Sequence, residues 1–306
     1  METDTVLYDI VIAGAGTAGL TAAIYGVRAG RSVLVLEEKV HGGQIINTPE
    51  VENYPGIQHI SGYEFAENLY RQALDLGAEV KYEKTVKLVN DISRKKIVTN
   101  RSEYMCRSVI LATGAKNRLL GVEREQELVG AGISYCASCD GAFYRGKDVA
   151  VVGGGNTALE DALFLSNYCK SVTIIHRRYQ FRGEPRMAEK LKKKENVHFL
   201  MDSQVVRLQG EKQLQSVIVQ NKVTGEEQEL RVEGLFIAIG QIPDNKVFAD
   251  LITLDEHGYI KAYEDCHTNV PGIFTAGDCR TKHVRQLTTA AADGAVAALA
   301  ACEYLG

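Results

Sequence analysis

The chain has 306 residues, long for a single core, which predicts two domains. Its 45% apolar and 24% charged content is that of a globular protein in water, and a net charge of −4 excludes the basic field that nucleic acid or an anionic lipid surface requires. No run of 18 apolar residues offers a membrane span, and seven scattered cysteines fit a reducing compartment, the cytosol, better than a secreted disulfide framework. The start, Met1 to Asp4, is acidic and leads straight into a strand, unlike an export signal.

Ile10 to Ala13 predicts a strand running into the turn Gly14-Ala15-Gly16-Thr17-Ala18-Gly19. Leu20 to Ala29 then reads as a helix stopped by Gly30, and Ser32 to Leu36 as a buried parallel strand. A second helix opens at Ser61 with a capping-box pattern, buries Phe65, Leu69 and Leu76, and ends at Gly77. Val109 to Leu111 is a short apolar strand that passes through Ala112 and Thr113 to Gly114.

The same series then recurs. Asp148 to Val152 is a strand, Gly153-Gly154-Gly155 a turn, Thr157 to Tyr168 a helix and Val172 to Ile175 a second strand. Gly14 precedes Glu37 by 23 residues, and Gly153 precedes His176 by 23. Lys190 to Lys194 reads as the wet face of a helix, and Leu235 to Ile239 closes at Gly240 as the earlier run closes at Gly114. The last strand, Ile273 to Thr275, ends in Gly277-Asp278 before an Ala-rich helix from about Gln286 to Tyr304. A lone strand and helix cannot bury themselves, so they are expected to return to the first domain. The expectation is an α/β fold of two Rossmann-like dinucleotide-binding domains, one inserted in the other: 1–116 with 247–306, and 117–246. Two crossings near 116 and 246 suit a rigid-body rotation of the inserted domain.

Gly14-x-Gly16-x-x-Gly19, set between strand and helix, suits a pyrophosphate cradle, and Glu37 stands where a carboxylate would accept from ribose hydroxyls. In the second cradle, Gly153-x-Gly155 with Ala158 in the third glycine's place, the position of Glu37 holds His176, followed by Arg177 and Arg178 with Arg182 beyond. Guanidinium groups pair with a 2′-phosphate that a carboxylate would repel, so this site is expected to take NADPH rather than NADH. Between the cradles lies Cys136-Ala137-Ser138-Cys139. A half zinc site is one reading of it, although no second CxxC or paired histidines complete a tetrahedral shell. A reversible disulfide across one turn is the other, with Asp140 as a proton shuttle or, more plainly, a helix cap or turn residue.

Taken together, Tyr135 to Gly141, Val152 to Ala158 and His176-Arg177-Arg178 with Arg182 resemble the low-molecular-weight bacterial thioredoxin reductases of the class II pyridine nucleotide-disulfide oxidoreductases. Gly42-Gly43-Gln44, Glu50 to Gly56, Thr275 to Asp278 and Arg285-Gln286 agree, so the resemblance spans essentially the whole chain. It implies three-layer ββα domains, FAD in the first and NADPH in the second, a redox disulfide at Cys136 and Cys139, a thioredoxin-like partner and a homodimer. By motif position Gly43, Gln44 and Asn53 would lie along the flavin and its ribityl chain. Asp278 would hold ribityl and phosphate oxygens, and Arg285 and Gln286 would close over the ring. The expected cofactor contacts also take in Thr17, Ala18, Val86, Ala112, Thr113, Gly114, Gly277 and Leu287, with Asn156, Thr157 and Gly240 in the second domain. The family often carries Asp at the position of Asn156, and Thr at that of Ser138. Cys279, beside Asp278, reads as a buried small hydrophobe, as do Cys106, Cys169, Cys266 and Cys302.

The expected activity is reduction of a thioredoxin-like protein by NADPH through FAD and the Cys136–Cys139 pair. The rivals are a ferredoxin-dependent flavin enzyme with the same disulfide, a flavin-dependent oxidase of small dithiols, and a redox sensor that binds both nucleotides without turnover. The His-Arg-Arg cluster argues against the first.

Overall fold

The computed structural model describes residues 6–91 and 94–306, so the acidic start Met1 to Asp4 lies outside them. β1 (Leu7–Ala13) sends Ile10 and Ile12 into one core and Val11 and Ala13 into another, as a central strand covered on both faces must. Through Gly14 to Gly16 it enters α1 (Thr17–Arg28), and β2 (Val33–Glu37) then pairs with it in parallel. α2 (Gly62–Asp75) starts where Ser61 Oγ accepts the Glu64 N–H at 3.1 Å, and Gly77 follows its C-cap with a φ of 104°. Phe65 is buried and Leu69 partly so. Leu76, which the sequence places in the core, is 37% exposed, because as the C-cap it has already left the buried face.

β3 (Glu79–Tyr82), β4 (Thr85–Asn90), β5 (Lys95–Thr99) and β6 (Glu103–Leu111) extend this sheet in the order β3-β2-β1-β6-β5-β4. Its strands are parallel as far as β6 and antiparallel beyond. β7 (Ala115–Asn117) then leads out of it.

The second unit contains β8 (Ile133–Ser134), α3 (Ala137–Asp140), β9 (Asp148–Gly153), α4 (Asn156–Leu165), β10 (Ser171–Ile175), α5 (Pro185–Lys192) and β11 (Val197–Leu200). An antiparallel sheet of β12 (Ser203–Gln209), β13 (Ser216–Asn221) and β14 (Glu227–Arg231) follows, and β15 (Gly234–Ala238) inserts into the parallel sheet β11-β10-β9-β15-β8. Alternation along β9 explains the layering. Val149 and Val151 join Leu159 and Leu191 of the helices, while Ala150 and Val152 join Val205, Val217 and Val219 of the antiparallel sheet. The order of layers is β, β, α. The sequence carries α4 on to Tyr168; the helix stops at Leu165 instead. There the Asn167 and Tyr168 amides turn to carbonyls three residues back, and Asn196 Nδ2 donates to Ser166 O and Cys169 O. Lys190, Lys192 and Lys193 stand exposed at the end of α5 while Leu191 is buried.

β16 (Gln241–Pro243) returns alongside β7 as a two-stranded ribbon. β17 (Ile273–Thr275) then pairs with the C-terminal half of β6, and α6 (Leu287–Leu305) packs on α1. The chain thus forms two compact units, one ending at Lys116 and resuming at Ile242, the other Asn117–Gln241. Asn245, fully buried, ties the segment after β16 to the first unit through its Nδ2, which donates to Gly258 O at 3.0 Å and Cys279 O at 2.8 Å. No helix among the described residues is long and apolar enough to cross a membrane.

The approach of α6 to α1 is set by Gly294, where a Cβ would stand 2.2 Å from Ala18 O. Gly294→Ala must part the two helices, at an expected cost of about 1–3 kcal/mol. The denaturant midpoint should fall at unchanged m-value; an unaltered midpoint would show that the helices separate freely.

Candidate functional site

In the first unit the three glycines of the opening turn do different work. A Cβ on Gly14 would lie 2.3 Å from Ala112 O, and one on Gly19 would lie 1.9 Å from Gly14 O. These two positions let strand, helix and the end of β6 close on one another. Gly16 faces open space, with nothing nearer than 4.0 Å, and as the N-cap of α1 it brings no side-chain partner for the helix amides. A bare helix N-terminus beside an open position can receive an anion. Glu37 ends β2 next to it and accepts the Ala15 N–H at 2.9 Å and the Lys39 N–H at 3.0 Å, which leaves lone pairs on both carboxylate oxygens.

Gly42 donates its N–H to Ala15 O at 2.7 Å, so Gly43 lies against Gly16, and Gln44 Nε2 donates to Ala115 O. Thr113 Oγ1 donates to Asn245 Oδ1 at 2.9 Å, and Asn53 Nδ2 to Gln286 Oε1 at 3.4 Å. Gly114 follows with a φ of 66°. Thr17 and Ala18 form the first turn of α1, and Leu287 follows the N-cap Gln286 at the start of α6. Val86 is exposed at the register shift of β4, three strands from β1.

Two buried polar atoms here have no partner among the described residues: Asp278 Oδ1, after the left-handed Gly277, and Arg285 Nε, whose guanidinium lies 4.3 Å over the Tyr259 ring. Burial raises the Asp278 carboxyl above its ordinary range, although Lys282 and Arg285 oppose the shift. A buried acceptor and a buried donor left open beside a glycine cradle fit a ligand rich in hydroxyl and phosphate oxygens, as the ribityl diphosphate of FAD is.

The second cradle has the same plan. A Cβ on Gly153 would lie 2.4 Å from Ala238 O, as Gly14 meets Ala112 O, and Gly155 faces open space as N-cap of α4. Gly154 is covered by the His176 ring, whose atoms would stand 2.2–2.6 Å from its Cβ. His176 is buried, and its Nε2 lies 3.1 Å from Gln180 O. Burial holds its pKa below the ordinary imidazole range, although the Gln180 contact opposes the shift, and Arg182, Arg178 and Arg177 add to it. His176 thus lies beneath Gly154 and braces the loop from there.

The guanidinium groups of Arg177, Arg178 and Arg182 are a different matter. All three residues are exposed, and among the described residues none of these side chains has an ion pair or hydrogen bond. The loop that carries them is tied down by its backbone: Arg182 N–H and Gly183 N–H both donate to Gly154 O, at 2.7 and 3.0 Å. Asn156 Oδ1 accepts the Glu184 N–H at 2.8 Å, so this side-chain oxygen serves the loop, while Thr157 is exposed on the first turn of α4. Gly183, which the sequence reading passed over, is required there, since its Cβ would fall 2.9 Å from Gly155 C. Gly240, with a φ of 102°, accepts the Arg118 N–H at 3.0 Å.

Cys136 and Cys139 are bonded to each other, with Cα atoms 5.3 Å apart across α3. Among the described residues neither belongs to a cluster of three or more metal-ligand side chains. Asp140 closes the same turn, its N–H donating to Cys136 O at 3.1 Å. Its side chain does not cap a helix. Oδ2 accepts from Ser134 Oγ at 2.6 Å, and Ser134 Oγ in turn accepts the Cys136 N–H at 3.0 Å. Burial pushes the Asp140 carboxyl above its ordinary range, and the Ser134 bond acts the other way. Ser134, placed by the pairing of β8 with β15, was not legible as a functional residue; its position two before Cys136 is the sole signal.

The remaining cysteines are apart from this chemistry. Cys106, Cys169, Cys266 and Cys279 are buried, and Cys302 is half-buried rather than buried. Burial raises the thiol of Cys106 to about 12, Cys169 to about 11 and Cys266 to about 12, and raises Cys279 as well.

Ser134→Ala removes the bond that lowers the Asp140 pKa, so the carboxyl should titrate at higher pH. The carboxyl carbon shift of labelled Asp140, followed by NMR against pH with Asp140→Asn as the assignment control, measures this. A midpoint unchanged or lower would show that the hydroxyl does not act on it.

The family model of the pyridine nucleotide-disulphide oxidoreductases matches residues 8–294. A Clostridium pasteurianum protein described as the 34.2 kDa protein in the rubredoxin operon is 42% identical over 299 residues, covering 97% of each chain. The thioredoxin reductase of Treponema pallidum is 43% identical over 306 residues, covering 100% of this chain and 98% of its own. The crystal structure of thioredoxin reductase from Streptococcus pyogenes, 40% identical, superposes with a TM-score of 0.94 over 99% of both chains. The chain belongs to the pyridine nucleotide-disulphide oxidoreductase family, on the branch that carries the thioredoxin reductases.

Proposed function

We propose that this protein is an NADPH-dependent thioredoxin-disulfide reductase that carries FAD in the first unit and acts as a cytosolic homodimer. The observation that carries the reading is the bonded Cys136–Cys139 pair in the same unit as an open cradle flanked by three unpaired arginines. The relatives in the same branch point the same way.

FAD, when bound, supplies the two-electron relay between a reduced nicotinamide and a disulfide. The residues that would hold it are Gly14, Gly16 and Gly19, Glu37, Gly43, Gln44, Asn53, Asp278, Arg285 and Gln286. Arg177, Arg178 and Arg182 would hold the 2′-phosphate of NADPH in fork geometry, with α4 presenting its amides to the pyrophosphate.

Cys136 and Cys139 take up two electrons and two protons and become a dithiol. One thiolate attacks the partner's disulfide, breaking its S–S bond and forming a mixed disulfide; the second thiolate then displaces the partner's remaining sulfur. Asp140, kept protonated to higher pH by burial, is the group placed to give and take the proton as sulfurs change charge. The inserted unit would turn about the two crossings so that the pair meets first its reductant and then its partner.

Anaerobic titration of the purified yellow protein with NADPH should bleach it, and oxidised thioredoxin should restore the colour. A colourless protein that takes up no flavin, or bleached protein that thioredoxin leaves unchanged, would refute the reading. Cys136→Ser or Cys139→Ser should keep reduction of the flavin by NADPH and abolish turnover with thioredoxin. Either single variant turning over normally would reject the relay. Replacing Arg177 and Arg178 by uncharged residues should raise KM for NADPH by about 30-fold and leave that for NADH nearly unchanged; equal losses would place 2′-phosphate recognition elsewhere.

A further inference from the structure

Arg280 is the largest fully buried side chain in the described structure, and the reaction outlined above gives it no task. It lies two residues after Asp278 and meets Asp293 of α6 in two parallel bonds, Nε to Oδ2 and Nη2 to Oδ1, each 2.8 Å. Lys282 Nζ donates to Asp293 Oδ2 at 2.8 Å, and the Gly277 N–H donates to the same oxygen at 2.9 Å. The Asp293 carboxylate therefore accepts four donors, three of them from side chains. Two cations face it; Glu264, almost wholly exposed, lies 3.5 Å from Arg280, and Asp278 is near enough that the Asp293 charge pushes its carboxyl further up. Burial alone would raise Asp293; the bonds from Arg280 and Lys282 outweigh it and hold the carboxyl low.

Burying such a set is costly, and well-packed apolar residues of like volume often give equal or greater stability. The backbone shows what the ions achieve. Gly277 sits at a φ of 79°, with its N–H on Asp293 and a Cβ position only 2.8 Å from Ala18 Cβ. Gly294, the next residue of α6, admits Ala18 O where any Cβ would clash. Asp293 and Gly294 thus bring together the first turn of α1 and the turn that carries Asp278.

We propose that Asp293 is a positioning residue for flavin binding: locked by Arg280 and Lys282, it fixes the Gly277–Asp278 turn against α1, so that the two halves of the dinucleotide site stand preformed. This rests on the assignment of FAD to the first unit. It sets how tightly the flavin is held and leaves the thiol chemistry of the second unit alone.

The test is the affinity of flavin-stripped full-length protein for FAD, read by quenching of flavin fluorescence, with circular dichroism to confirm folding. Asp293→Ala should raise the dissociation constant by about 30-fold, and Asp293→Asn, which keeps an acceptor for Gly277, should recover most of that loss. The triple variant Arg280→Met, Lys282→Met, Asp293→Leu restores an apolar interior and should fold as stably as the parent, yet bind FAD as weakly as Asp293→Ala. All variants should still yield the parent's two additional thiols on reduction by dithiothreitol. A folded triple variant that binds FAD within twofold of the parent overturns the inference while leaving the flavin assignment intact. Parent protein that takes up no FAD overturns both.

Discussion

A chain that turns from strand to helix around a missing side chain is the constraint on which this molecule is built. At Gly16 and at Gly155 the helix amides begin with no capping side chain and no atom in the space a Cβ would use. Everything nearby serves to keep those two openings in place. Gly14 and Gly153 admit the carbonyls of Ala112 and Ala238 at the ends of later strands, so in both units the parallel sheet fixes the position of its cradle. The repeat in sequence is therefore a repeat of one physical solution, since a helix N-terminus left unfilled in a folded protein invites an anion.

What distinguishes the two openings is the residue at the end of the second strand. Glu37 spends one lone pair of each oxygen on the amides of Ala15 and Lys39 and still presents a carboxylate. His176 turns under Gly154, lifting the following loop so that its arginines extend into water. Where the first opening is bordered by a carboxylate, the second is bordered by the guanidinium groups of Arg177, Arg178 and Arg182.

Much of this was legible because glycine, cysteine and arginine leave strong marks in a sequence. The strand-turn-helix units, the return of β17 and α6 to the first sheet and the adjacent sulfurs all followed from spacing and from the burial that apolar runs require. What was hidden depends on contacts across the fold. Ser134 acts through a hydroxyl that only the pairing of β8 and β15 brings to Asp140. Asn245 is an unremarkable polar residue until the carbonyls of Gly258 and Cys279 are seen on its amide. Asp293, a buried acid among the alanines of α6, was the one such residue that composition could have marked, because a charge on that face must find a partner. Leu76 failed for the opposite reason: its periodicity was right, but the helix had run out.

The fate of the other thiols has a consequence for a protein whose trade is sulfur exchange. A thiol raised to about 11, as Cys169 is, exists as the nucleophilic anion in only about one molecule in ten thousand at neutral pH. Cys106 and Cys266 are quieter still, and the protein shell screens all three from reagents in solution. An internal disulfide can then open and close through many cycles without migrating to these three positions, because their sulfurs are kept chemically asleep.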